Sequence, residues 1–172
     1  MEQTRIELLK KLTEARGISG HEDEVAAILR TELEGHVDRF ERDPIKNLFA
    51  LKGMDKPGAK VMLNAHMDEV GLYVTRITKE GYLHIGKAGG IDDRLLLGKK
   101  VLVGKDRLPG VTAIKAVHLS TREEIETTVV KADDIVVDVG AKSDKELAGK
   151  VAIGDQITFD TCLLYTSDAA DE

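Results

Sequence analysis

The 172-residue chain contains one cysteine, no tryptophan, three prolines, three phenylalanines and three tyrosines. A single thiol, Cys162, excludes an internal disulfide and a thiolate zinc cage. So few aromatic side chains leave little material for stacking on bases. Basic residues number 25 against 31 acidic ones, 25 − 31 = −6, and they are scattered rather than gathered in a patch, which argues against a nucleic-acid partner. No window approaches the roughly 18 apolar residues of a membrane span. Met1 leads directly into the charged, amphipathic EQTRIELLKKL, not into a signal peptide. A cytoplasmic protein with no membrane partner is the expectation. What is present, 42% apolar and 33% charged residues, suits one globular domain, or one domain with a small insertion.

Helical spacing of Ile6, Leu9, Leu12 and Thr13 predicts a helix over residues 2–15, stopped by Gly17. In SGHEDEVAAILRTELEG, Ser19 and Glu22 have capping-box spacing, acidic residues crowd the first turn, and Val25, Ile28, Leu29 and Leu33 form an apolar stripe. A second helix ending at Gly35 follows. VDRFERD, NLFALKG and KVMLNAH read as strands, separated by a break at Pro44 and a GMDKPG turn. VMLNA is apolar almost throughout, which predicts a strand buried on both faces that delivers His66 at its end. From residue 70 the pattern changes to short alternating strands with frequent glycine: VGLYVTRI, LHIG, KKVLVG, GVTAIKAV, IVVDVG and DQITFD. Helix is expected only at TREEIE and at the SDKEL turn, where Ser143 and Glu146 repeat the box spacing. The fold class is α/β at the start, followed by a small β-rich unit.

The chemistry-bearing stretch is NAHMDEVG, residues 64–71. In an extended strand His66 and Asp68 project from one face, with Met67 on the other and Glu69 away from Asp68. Imidazole suits zinc, cobalt or manganese, and a neighbouring carboxylate either binds the metal or holds the other ring nitrogen. On spacing alone, a hydrogen-bonded structural histidine is the default reading. A catalytic zinc needs about three protein ligands and a water, and no second cluster has ligand spacing.

GISGHEDEVAAIL, DPIKNLFALKG, KVMLNAHMDEVGLYVTRITKEGYLHI, GGIDDRLLLGKKVLV, PGVTAIKAVHL and DIVVDVGAKSDKELAGKVAIGDQITFD resemble, in that order, the tetrahedral aminopeptidases, also called glutamyl or deblocking aminopeptidases. The resemblance runs from residue 1 to about residue 160. It implies a metallopeptidase with two divalent ions, zinc or cobalt, that removes N-terminal residues from peptides. It also implies an α/β catalytic domain, here residues 1–69, interrupted by a barrel-like dimerisation domain, residues 70–160. Subunits of the family pair and build a hollow dodecamer. His66 would be a ligand of one metal, and Asp68 would orient and polarise the site from behind.

The family's bridging carboxylate, its general-base Glu and its remaining ligands lie after the insert, where this sequence no longer matches. IDDRL at residues 91–95 imitates the stretch that carries the bridging ligand, but its context, GG before and LLGKKV after, belongs to the insert; Asp92 and Asp93 are expected in a solvated loop. His118 matches an insert position without known chemistry. His21, His36 and His84 lack partners at metal spacing, and Asn47 reads as a turn residue. The tail CLLYTSDAADE back-translates to a transposon adapter used in sequencing libraries, so residues 161–172 are expected to be non-native and the chain to be an inactive fragment; source DNA with different codons would overturn this. The alternatives are a stand-alone, non-enzymatic dimerisation module and an endoglucanase-labelled relative.

Overall fold

The computed structural model describes residues 2–114 and 130–163. The helix expected at TREEIE and His118 lie outside the described residues. The described residues divide into two compact units, one within 1–67 together with 161–163 and the other within 68–160.

In the first unit α1 (Glu2–Glu14) and α2 (Asp23–Leu33) precede an antiparallel hairpin, β1 (Arg39–Arg42) and β2 (Leu48–Leu51), with Arg39 opposite Leu51 and Arg42 opposite Leu48. The α2 stripe is oriented as expected: Val25 and Ala26 are buried, and Ile28, Leu29 and Leu33 are half-buried. On α1, Leu9 is exposed and Leu8 half-buried instead. The capping box at Ser19 does not form. Gly20 turns the chain at φ 88°, α2 starts at Asp23 after an N-cap Glu22, and Glu22 Oε1 accepts from the Gly20 amide at 2.6 Å. The glutamate thus serves the turn before the helix.

The hairpin turn is built by Asp43, whose two carboxylate oxygens accept from the Asn47 amide and from Asn47 Nδ2, each at 2.8 Å. Asn47 is therefore a turn residue, as expected. Lys46 adopts a left-handed φ of 72° and donates to Gly20 O at 2.8 Å and to Asp23 Oδ2 at 3.0 Å. With Arg42 2.7 Å from Asp23 Oδ1, the turn is tied to the first turn of α2. Lys46 foremost, then Arg42, holds the Asp23 carboxyl below its ordinary value. Arg30 of α2 lies 5.1 Å above the Phe40 ring, a cation–π contact.

KVMLNAH departs from expectation. Residues 60–66 form no strand, and Val61, Met62 and Leu63 are 83%, 79% and 93% exposed. Apolar composition fits a segment for a buried strand, but a strand exists only where a neighbour supplies hydrogen bonds and a covering face. Among the described residues nothing pairs with this segment.

The second unit is a closed antiparallel barrel. Its strands are β3 (Gly71–Ile77), β4 (Leu83–Ala88), β5 (Lys100–Val103), β6 (Leu108–Ala113), β7 (Val136–Asp138) and β8 (Gln156–Phe159), in the order β3-β4-β7-β6-β5-β8. Period-two alternation sends Leu72, Val74, Leu83, Ile85, Val101, Val103, Val137 and Ile157 inward. Complete burial of Leu72, Leu83, Ile135 and Ile157 is worth about 1.5–3 kcal/mol each. Closure also removes the unpaired edges of an open sheet. On the outside the Tyr73 ring covers its cross-strand partner Gly86, in space that a side chain would occupy. The buried Thr112 hydroxyl donates to Leu96 O and accepts from the Lys99 amide at 2.8 Å, pinning the loop before β5 onto β6. A short helix, α3 (Asp144–Leu147), inserts Leu147 into the core. Ser143 occupies its N-cap without a side-chain bond, and Glu146 Oε2 accepts from the Lys142 amide at 3.1 Å.

Candidate functional site

The segment that carries His66 begins at the turn after β2. The Gly53 amide donates to Asp38 Oδ2 at 2.5 Å, and Lys60 Nζ gathers the carbonyls of Met54 and Lys56 at 2.5 and 2.7 Å. Beyond Lys60 the chain runs exposed through His66; Met67 and Asp68 are half-buried. Because no strand forms here, the alternation that would set His66 and Asp68 on one face does not apply to this segment.

The backbone at Met67 rests against the α1–α2 connection. A Cβ on the buried Gly17 would stand 3.2 Å from the Met67 carbonyl oxygen and 2.9 Å from Val25 Cγ2. From the sequence Gly17 reads only as a helix stop. No local pattern in the sequence signals this close approach; it shows only in space, where Gly17 lies buried beside Ala15 and Ile18, 6% and 1% exposed.

An exposed imidazole and a carboxylate two residues later have the donor chemistry of one position in a divalent-metal site. They do not have its number: among the described residues no group of three His, Cys, Asp or Glu could hold a metal ion. The described residues therefore do not make a metal centre by themselves.

Asp92, Asp93 and His84 have local partners. Asp92 caps a short 3₁₀ turn (Asp93–Leu95), accepting from the Arg94 amide at 3.0 Å and from its guanidinium at 2.5 Å. The Arg94 side chain, then its amide, lowers the Asp92 pKa to about 2. Asp93 pairs with Lys87 at 2.5 Å, which lowers its pKa too. These are the bonds of a charged surface loop, as expected for IDDRL. His84 of β4 places Nε2 2.5 Å from Arg76 Nη2, and the His21 amide donates to Ile18 O at 2.8 Å. His36 is exposed beside the end of α2.

Comparison with known proteins bears on the whole pattern. The family model described as M42 glutamyl aminopeptidase matches residues 46–170, and a second, AMPT, matches residues 4–28. The first match runs past the end of the barrel into the tail. The lysyl aminopeptidase of Pyrococcus furiosus is 34% identical over 144 residues, 81% of this chain and 41% of that protein. The crystal structure of a TET aminopeptidase from a Thaumarchaeota archaeon of marine sediment superposes with a TM-score of 0.83 at 32% identity, covering 95% of this chain and 46% of that one. The TET1 peptidase of Pyrococcus horikoshii, described as assembling into a tetrahedron or a large octahedral shell, superposes with a TM-score of 0.78 at 38% identity, covering 90% and 46%. The chain thus spans about half the length of the relatives it matches. A family match over most of the chain, reproduced by both the helical unit and the barrel, fixes its kinship: the chain belongs to the M42 glutamyl aminopeptidase family.

Proposed function

We propose that this chain is the first part of a cytoplasmic, metal-dependent aminopeptidase that removes N-terminal residues from peptides. The observation that carries the reading is the family match over residues 46–170, which takes in the NAHMDEVG stretch and the barrel together. His66 is the ligand of one of two divalent ions, zinc or cobalt, and Asp68 orients the site from behind. The barrel-like domain of residues 70–160 is the dimerisation domain, and dimers build to a dodecamer. The assemblies described for the Pyrococcus horikoshii peptidase support this part of the reading.

One imidazole and one carboxylate fall short of the roughly three protein ligands of a catalytic zinc. Hydrolysis therefore needs donors beyond those of the described residues, and the 172-residue chain alone is expected to be inactive. The family is one of aminopeptidases, so the endoglucanase alternative is set aside. A stand-alone dimerisation module would keep the barrel but leave His66 without a role.

Metal content separates these readings. In the whole protein, read to the length of its relatives, His66→Ala is expected to lose one of two bound ions by elemental analysis. Asp68→Asn is expected to keep both ions and lower turnover of amino-acyl p-nitroanilides by about 10–100-fold, the range for groups that orient a ligand. Two ions retained in His66→Ala would overturn the ligand assignment.

A further inference from the structure

We infer that Gly17 is a positioning residue for the candidate site: lacking a Cβ, it lets the Met67 carbonyl close onto the α1–α2 connection and so sets the peptide plane between Met67 and Asp68. The inference rests on the proposed role of His66 as a ligand.

Two glycines of one connection do different work. Gly20 has a left-handed φ of 88° and open space where a Cβ would stand, so its conformation is what requires glycine. Gly17 is not among the residues with positive φ, and it is buried. Its requirement is space, because a Cβ there would lie 2.9 Å from Val25 Cγ2 and 3.2 Å from Met67 O. On the helical side the room is taken, with Ala15, Ile18 and Val25 6%, 1% and 8% exposed, whereas Met67 is only half-buried. The yielding partner is therefore the backbone at Met67.

A peptide unit is rigid and planar, so the Met67 carbonyl and the Asp68 amide move together. Displacing the oxygen by a few tenths of an ångström turns the plane that links His66 to Asp68. Ligand and support geometry must be held within about 0.5 Å and 10–20°, and the angle of this plane is the coordinate at risk. Gly17 acts on the site through this plane and touches no reacting group.

The test pairs Gly17→Ala with Val25→Ala, which removes the closer collision and keeps the helices packed, and compares the double variant with Val25→Ala alone. In ¹H–¹⁵N spectra of the metal-free 172-residue chain, the double variant is expected to shift the Met67 and Asp68 amides and leave Leu83 and Val137 of the barrel in place. Shifts confined to residues 15–25 would overturn the inference. In the whole protein, zinc affinity of the double variant is expected to fall by about 10–100-fold against Val25→Ala, as for other ligand-orienting changes; unchanged affinity would likewise overturn it. His66→Ala in the same assay keeps the two ideas apart. Metal retained there defeats the ligand reading while the amide shifts stand, whereas metal lost there with unmoved amides defeats Gly17 alone.

Discussion

Replacing Gly81 by alanine tests how the barrel is closed around its first hairpin. The turn between β3 and β4 is fastened by the Gly81 amide donating to Thr78 O at 3.0 Å and the Thr78 amide donating to Tyr82 O at 2.8 Å. The chain before α3 packs against it, with the Asp144 amide donating to Lys79 O at 3.2 Å. Gly81 has φ 91°, and a Cβ there would stand 2.8 Å from Ala141 O, 3.0 Å from its carbonyl carbon and 3.1 Å from its Cβ. An L-residue in the left-handed region costs about 1–2 kcal/mol. Overpacking against backbone, which cannot rotate away, adds about 1–3 kcal/mol. Gly81→Ala should therefore cost about 2–5 kcal/mol. Gly140→Ala is the control, because Gly140 also has a positive φ, 76°, but has nothing within 4 Å of the added Cβ. Only the conformational part should appear there. Tyr73 and Tyr82 both lie in the barrel unit and the first 67 residues contain no tyrosine, so tyrosine fluorescence during thermal unfolding reports mainly on the barrel. Each kcal/mol lowers the midpoint of a domain of this size by about 4–8 °C. Equal losses in the two variants would show that Ala141 does not crowd Gly81, and the packing argument would fail.

Two further outcomes follow from charge and exposure. Asp92 is a depressed carboxylate: its contribution to stability is present above its ordinary value of 3.8 and is lost as the pH falls through about 2. Carbon-detected titration of the Asp92 carboxyl should give a midpoint near 2, and Arg94→Gln should raise it toward 3.8; an unmoved midpoint in Arg94→Gln would remove Arg94 as the cause. Met62→Lys, at a position 79% exposed between two other exposed apolar residues, should change the unfolding midpoint little and reduce self-association in light scattering. A marked loss of stability would instead mean that Met62 is covered.

The sequence was most legible where structure is decided locally, and the failures mark where it is not. The α2 stripe appears with Val25 and Ala26 at its centre, and the strands after residue 70 close a barrel because each alternates with period two and is bounded by turns. Ser19 and Glu22 have the spacing of a capping box, yet a left-handed Gly20 between them moves the helix start to Asp23 and redirects the glutamate to the turn. KVMLNAH failed for a different reason: apolar content says what surroundings a segment suits, whereas strand formation depends on a partner whose identity no local pattern carries. The same logic governs the site. His66 and Asp68 stand out as residue types, but the alternation that would orient them belongs to a strand that does not form, and the backbone at Met67 between them is closely approached by a glycine 50 residues earlier with no functional group at all. A ligand can be recognised by its chemistry, while the group that aims it is recognisable only by the space it leaves empty. For this reason Gly17 could be read from the sequence as a stop signal but could be assigned to the site only from the 3.2 Å that would separate a Cβ there from the Met67 oxygen.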